Sequence, residues 1–198
     1  MTKNSLAVAA VFLLSGAAPA TAQNFLMNSA ETINRGNFKI AAFPTVLLGE
    51  GGSDSEWGVA TRLGYGFTSS FDVEAKLAFF DGFKLYGADA ELWLIKGQTD
   101  VSAAVGAHKA DFDGGFDSTA LDTSLMVSRN VGSNLELYGG LSVSFESVDG
   151  GGDFTRAYVV PGIEYRISDD IDLLAEFGVG LNDDSPNYAS FGLAFYIR

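Results

Sequence analysis

The chain has 198 residues, no cysteine and a formal net charge of −13 at pH 7. That charge argues against nucleic-acid binding, which needs basic patches. The missing thiols exclude a disulfide framework, a thiolate metal site and lipid anchoring at a cysteine.

Lys3 gives a short positive start, residues 6–14 an apolar run, and Ala20-Thr21-Ala22 the small-x-small pattern of a cleavage site. The run is shorter than the roughly 20 residues a spanning helix needs. Residues 1–22 therefore read as an export signal, with the mature chain starting at Gln23. Loss of Lys3 with that segment takes the net charge from −13 to −14. Residues 23–35 come next, either a tail in the periplasm or a plug inside the domain that begins at Gly36, with a short tail as the default.

From Gly36 onward apolar and polar residues alternate, and clusters of Gly, Asp, Asn and Ser interrupt them at regular intervals. The pattern predicts strands near 37–48, 56–67, 72–80, 83–96, 100–110, 119–130, 134–146, 155–167, 170–181 and 188–198. Their lengths suit tilted membrane strands, which need about 9–11 residues. Connections at 68–71, 97–99, 131–133 and 168–169 are tight, whereas 49–55, 111–118, 147–154 and 182–187 are longer and acidic. Only Asp81-Gly82 breaks that alternation. The expected fold is all-β, an antiparallel up-and-down transmembrane β-barrel over 36–198, of ten strands with eight as the fallback. On the loop alternation, the longer loops face outside and both termini face the periplasm.

Alternation alone does not say which face is outside, since soluble barrels also alternate. Near 134–146 one face reads Leu135, Leu137, Gly139, Leu141, Val143, Phe145, and the other Glu136, Tyr138, Gly140, Ser142, Ser144, Glu146. Three features put the apolar face toward lipid. The polar face is rich in small residues that suit a crowded interior. Trp57, Tyr65, Phe67, Phe145, Tyr165 and Phe195 gather near strand ends, as interfacial girdles do. The cations of apolar parity, Lys84, Lys96, Lys109 and Arg129, also lie near strand ends, where they can snorkel.

The signal, the ten alternating segments and the last strand from Tyr188 to Arg198 together resemble the small bacterial outer-membrane β-barrel proteins of the OmpA-transmembrane type. The resemblance implies residence in the bacterial outer membrane, contact with the bilayer and lipopolysaccharide, and delivery by the outer-membrane assembly machinery through the C-terminal strand. That family usually ends on an aromatic residue; here Phe195 and Tyr196 are followed by Ile197 and Arg198.

The face assigned to the lumen carries Lys39, Arg62, Lys76, Arg156, Arg166 and Arg198, against Glu74, Asp89, Glu91, Asp122, Glu136, Glu146, Glu164, Asp172 and Glu176. Strand order groups Arg62, Glu74, Lys76, Asp89 and Glu91 at mid-height. A second group of Glu164, Arg166, Asp172, Glu176, Arg198 and Lys39 is expected lower down. Such a set reads either as a salt-bridge network filling the barrel or as a narrow passive pore for small ions, with cations preferred. A surface binding or adhesion module acting through short acidic loops is the alternative. His108 is the single histidine, with Ser102, Ser124 or Asp122 as conceivable partners, but no hydrolase motif surrounds it. The loops 111–117 and 149–153 lack EF-hand spacing. No catalytic residue, metal site or cofactor is expected.

Overall fold

The computed structural model describes residues 25–49 and 54–198. The signal sequence falls outside these residues, as do Gln23, Asn24 and the middle of the first long loop. Ten strands form: β1 (Phe38–Leu47), β2 (Glu56–Gly66), β3 (Phe71–Phe80), β4 (Phe83–Ile95), β5 (Asp100–Phe112), β6 (Asp117–Asn130), β7 (Leu135–Val148), β8 (Asp153–Ser168), β9 (Ile171–Gly180) and β10 (Tyr188–Ile197). Each pairs antiparallel with the next, and β10 returns to β1 from Phe38↔Ile197 to Leu47↔Tyr188, so the sheet closes on itself. Closure leaves no edge strand, and that lets a sheet sit where water cannot satisfy its backbone. The ten-strand expectation holds, and the eight-strand fallback is set aside.

Burial follows parity. On β7 Leu137, Leu141 and Phe145 point outward, while Glu136, Tyr138, Ser142, Ser144 and Glu146 are buried. The outward set, including Leu63, Phe79, Val105, Leu121, Ile163, Leu173 and Phe191, makes an apolar belt around the whole wall. A water-soluble monomer rarely exposes more than a few hundred Å² of contiguous apolar surface. The face arrangement is that of a transmembrane barrel. Lys84, Lys96 and Arg129 are exposed at strand ends, and Lys96 lies 4.0 Å over the Trp93 ring.

Two expected loops are shorter than their composition suggested. Asp111 pairs with Asp117 across β5 and β6, and Ser147 with Asp153 across β7 and β8, leaving turns at 113–116 and 149–152. Two aspartates face each other across the first turn because Lys109 Nζ lies 3.3 Å from Asp111 and 2.6 Å from Asp117. The contrast between long and short connections is correspondingly weaker than the sequence implied.

Residues 25–35 do not trail away as the default tail. They enter the barrel, and Phe25, Leu26, Met27, Ala30 and Ile33 are buried there. The chain reverses at Gly36, whose φ of +85° is open to glycine. Gly36 N donates to Gly66 O at 2.8 Å, hooking the segment over the end of β2.

An outward position at mid-strand must tolerate lipid. Leu141→Arg should destabilise the barrel by about 2–4 kcal/mol in refolding titrations with lipid vesicles, whereas Ile197→Arg, at the rim, should cost about 0–1 kcal/mol.

Candidate functional site: the filled lumen

Three layers occupy the interior. At the end bearing the β3–β4 and β5–β6 turns, inward aromatic rings form a roof. Phe80 stacks on Phe83 with centroids 4.8 Å apart, Phe112 stacks on Phe116 at 4.6 Å, and Phe83 joins the pairs at 5.8 Å. Phe25 reaches this roof from below, 5.7 Å from Phe80 and 5.1 Å from Tyr188. The tight Asp81-Gly82 turn explains the centre of the roof, because it holds Phe80 and Phe83 side by side.

Beneath the roof runs a ladder of charges on β1 to β6. Lys39 Nζ lies 3.1 Å from Glu74, and Arg62 lies 3.6 Å from Glu74 and 3.1 Å from Asp89. Lys76 bridges Asp89 and Asp122, at 2.6 Å from each. Asp122 also meets His108 Nδ1 at 2.7 Å and accepts from Ser144 Oγ at 2.5 Å. Across the barrel Arg156 Nε donates to Glu146 at 2.9 Å, and Ser118 donates to the same carboxylate. Arg156 also donates to Asp184 O and lies 4.7 Å over the Phe154 ring. The mid-height group expected from strand order is therefore assembled, and Lys39 joins it instead of the lower group.

The third layer is residues 25–33. Met27 N donates to Glu176 at 2.7 Å, Ile33 N to Asp72 at 2.6 Å, Ala30 N to Ser128 Oγ at 3.3 Å, and Asn28 Nδ2 to Glu91 at 2.7 Å. In return Arg62 donates to Phe25 O and Lys39 to Asn28 Oδ1. Met27 has φ +45°, a conformation that costs a non-glycine residue about 1–3 kcal/mol. The wall is shaped for the segment. A methyl group at Gly64 would collide with Ile33, and one at Gly140 would meet Leu26 at 2.6 Å. The small inward residues that suggest an open pore thus make room for side chains.

Several expected members lie elsewhere. Arg198 is exposed at the rim, 3.1 Å from Asp170, and half-exposed Arg166 sits 4.0 Å from Asp172. They keep lumen parity but lie past the filled section, Arg198 beyond the end of β10 and Arg166 at the β8 bulge. With Glu31, Glu164, Asp172 and Tyr196 they line a polar vestibule at that end. Glu176 is served by Met27 N, by Tyr188 OH at 2.8 Å and by Tyr138 OH at 3.2 Å. Glu136 is buried in a group with Glu31 and Asp100. Burial, and then the neighbouring Asp100, push the Glu31 carboxyl above its usual range, against the pull of Arg166. Asp72 and Asp100, the first residues of the strands expected at 72–80 and 100–110, are also buried in the lumen. Neither Ser102 nor Ser124 hydrogen-bonds His108, whose Nε2 is buried without a hydrogen-bond partner.

No protein-family model matches the chain, and no curated protein matches it. Solved structures share its fold. An outer-membrane channel from Pseudomonas putida F1 superposes with a TM-score of 0.55 at 11% identity, over 88% of this chain and 100% of that one. The KdgM porin gives 0.48 at 9% identity, over 81% and 99%. A loop-deletion mutant of OmpT, an outer-membrane protein of Vibrio cholerae, gives 0.43 at 16% identity, over 81% of this chain and 62% of that one. At these identities the likeness is one of fold.

Arg156 and Glu146 offer a test of the ladder, because both are almost wholly buried. Arg156→Met should destabilise the barrel by about 3–5 kcal/mol by leaving a buried charge uncompensated. Adding Glu146→Gln should recover most of that loss in denaturant unfolding.

Proposed function

We propose that the chain is an integral protein of a bacterial outer membrane whose barrel is sealed at rest by its own N-terminal segment. The observation that carries this reading is residues 25–33 inside the barrel, tied to Glu176, Asp72, Glu91 and Ser128 on four strands. The ladder above the segment and the aromatic roof support it. The role is then structural and passive, and its partners are the bilayer, lipopolysaccharide at the outer leaflet, and the assembly machinery that receives β10. Short turns at 113–116 and 149–152 offer little surface against the roughly 800 Å² a specific partner needs, which weighs against adhesion. His108 lies under the roof with its Nδ1 on Asp122, an arrangement suited to structure rather than to hydrolysis.

A narrow pore is the second reading, favoured by the lumen's excess of carboxylates over cations. It belongs to the state in which the segment has left. Planar-bilayer recording should show the intact protein silent and a variant lacking 25–33 conducting. That conductance should prefer cations, and lose the preference as the Debye length falls from about 10 Å at 0.1 M salt to about 3 Å at 1 M. Steady conductance from the intact protein would refute the seal, and anion preference would refute the charge argument.

Orientation is tested separately. Single cysteines at exposed Ser147 or Asp183 should react with an impermeant thiol reagent on whole cells, and cysteines at Ser69 or Ser133 should not. The opposite pattern would invert the barrel.

A further inference from the structure

Asp72 and Glu91 face each other across β3 and β4, and Glu74 lies one lumen step further in on β3. One carboxylate oxygen from each falls within 4.8 Å of the others. All three side chains are more than nine-tenths buried. Each uses one oxygen on a different donor: Asp72 Oδ2 accepts from Ile33 N, Glu91 Oε2 from Asn28 Nδ2, and Glu74 Oε1 from Lys39 Nζ. The second oxygens, Asp72 Oδ1, Glu91 Oε1 and Glu74 Oε2, are buried without a well-aligned hydrogen bond, and the Ser102 hydroxyl is the polar neighbour of Glu91. Arg62 Nη1 forms an ion pair with Glu74 Oε2 at 3.6 Å, beyond hydrogen-bond range.

We propose that Asp72, Glu74 and Glu91 form a binding site for one divalent cation, calcium in preference to magnesium, between β3, β4 and the N-terminal segment. A buried carboxylate oxygen without a donor is costly, and three buried carboxylates that bring oxygens within 4.8 Å of one another favour a shared cation. The surrounding charge points the same way. Counted as fully ionised, Asp72, Glu74, Asp89, Glu91 and Asp122 outnumber Lys39, Arg62 and Lys76 by two. One divalent ion cancels that excess, as bound protons would in its absence.

The ligand chemistry and spacing select the ion. Carboxylate oxygens are hard ligands, suited to calcium or magnesium rather than to softer metals. Calcium takes carboxylate oxygens at about 2.3–2.6 Å in flexible geometry, so three ligands spread evenly around it stand up to about 4.5 Å apart. The three carboxylates here come together within 4.8 Å. Magnesium demands near-octahedral geometry at about 2.0–2.1 Å and gives up its water reluctantly, which suits a buried, irregular set of side chains less well. The bound ion would also fix the two carboxylates that receive Ile33 N and Asn28 Nδ2, fastening the N-terminal segment to the wall. The site itself stands whether or not that segment seals a pore.

The test uses the folded protein purified in detergent, stripped with EDTA and dialysed against radiolabelled calcium in 0.1 M KCl. The expected result is saturable uptake of one calcium per chain, with magnesium competing at least tenfold less well. Asp72→Asn with Glu91→Gln should weaken uptake at least tenfold. Glu91→Gln alone, which keeps an oxygen for Asn28, should weaken it several-fold and serves if the double variant does not fold. Asp149→Asn with Asp153→Asn, on an exposed turn, should leave uptake unchanged. Absence of saturable uptake by the unaltered protein would overturn the proposal and leave Asp72 and Glu91 sharing a proton. Undiminished uptake by a folded Glu91→Gln variant would place the ion elsewhere and overturn it equally.

Discussion

Carboxylates turned into a closed barrel must find donors, and the wall of this one carries too few cations to provide them. Lys39, Arg62 and Lys76 are each shared between acceptors. Much of the remaining demand is met from outside the wall. Three donors of the N-terminal segment, two of them backbone N–H groups, reach Glu176, Asp72 and Glu91. Backbone donors suit this task because they bring hydrogen bonds without another charge to desolvate. The path of the segment, the glycine seats at Gly64 and Gly140 and the strained backbone at Met27 all follow from that requirement.

The barrel was legible in the sequence because its signal is local. A period of two, interrupted at regular intervals, is written within each strand, as in Leu137, Leu141 and Phe145 against Glu136, Ser142 and Glu146. Closure of β10 on β1 followed from the even strand count. The ladder around Arg62 was legible for a related reason, since same-parity residues on successive hairpins must meet. The roof was less visible, although Phe80 and Phe83 flank a turn too short to separate them.

The N-terminal segment was not legible in this way. Residues 23–35 have no period, and their partners are scattered. Met27 finds Glu176 149 positions away, while Ile33 finds Asp72 only 39 positions away. Composition gave no reason to prefer the lumen over the periplasm for such a stretch. Asp72 and Asp100, each the first residue of an expected strand, share lumen parity with Glu74 and Ser102, so the signal for them was present but stood at a strand boundary. Asp100 also serves its turn by accepting from Gly97 N and Trp93 Nε1. Parity at strand ends is ambiguous where bulges intervene, as at Trp93/Ile95 and Arg166/Ser168.

How firmly the segment is held can be argued from magnitudes. Its three hydrogen bonds to carboxylates contribute roughly 5–9 kcal/mol at the value usual for charged partners. Burial of Phe25, Leu26, Met27 and Ile33 adds roughly 6–12 kcal/mol. Against these stands the ordering of nine residues, at about 1–2 kcal/mol each for the backbone alone, or roughly 9–18 kcal/mol. Gain and cost are of the same order, so the loss of a few of these contacts would bear on whether the lumen stays occupied. Vacating it has a further consequence, because Asp72, Glu91 and Glu176 would each lose a donor at once. Water entering from the polar vestibule would replace those donors, and the roof would lose Phe25 from against Phe80 and Tyr188 in the same movement. The segment is joined to β1 at the vestibule end, so it leaves by that end, drawing Phe25 past the ladder, and its exit and the hydration of the carboxylates are one event.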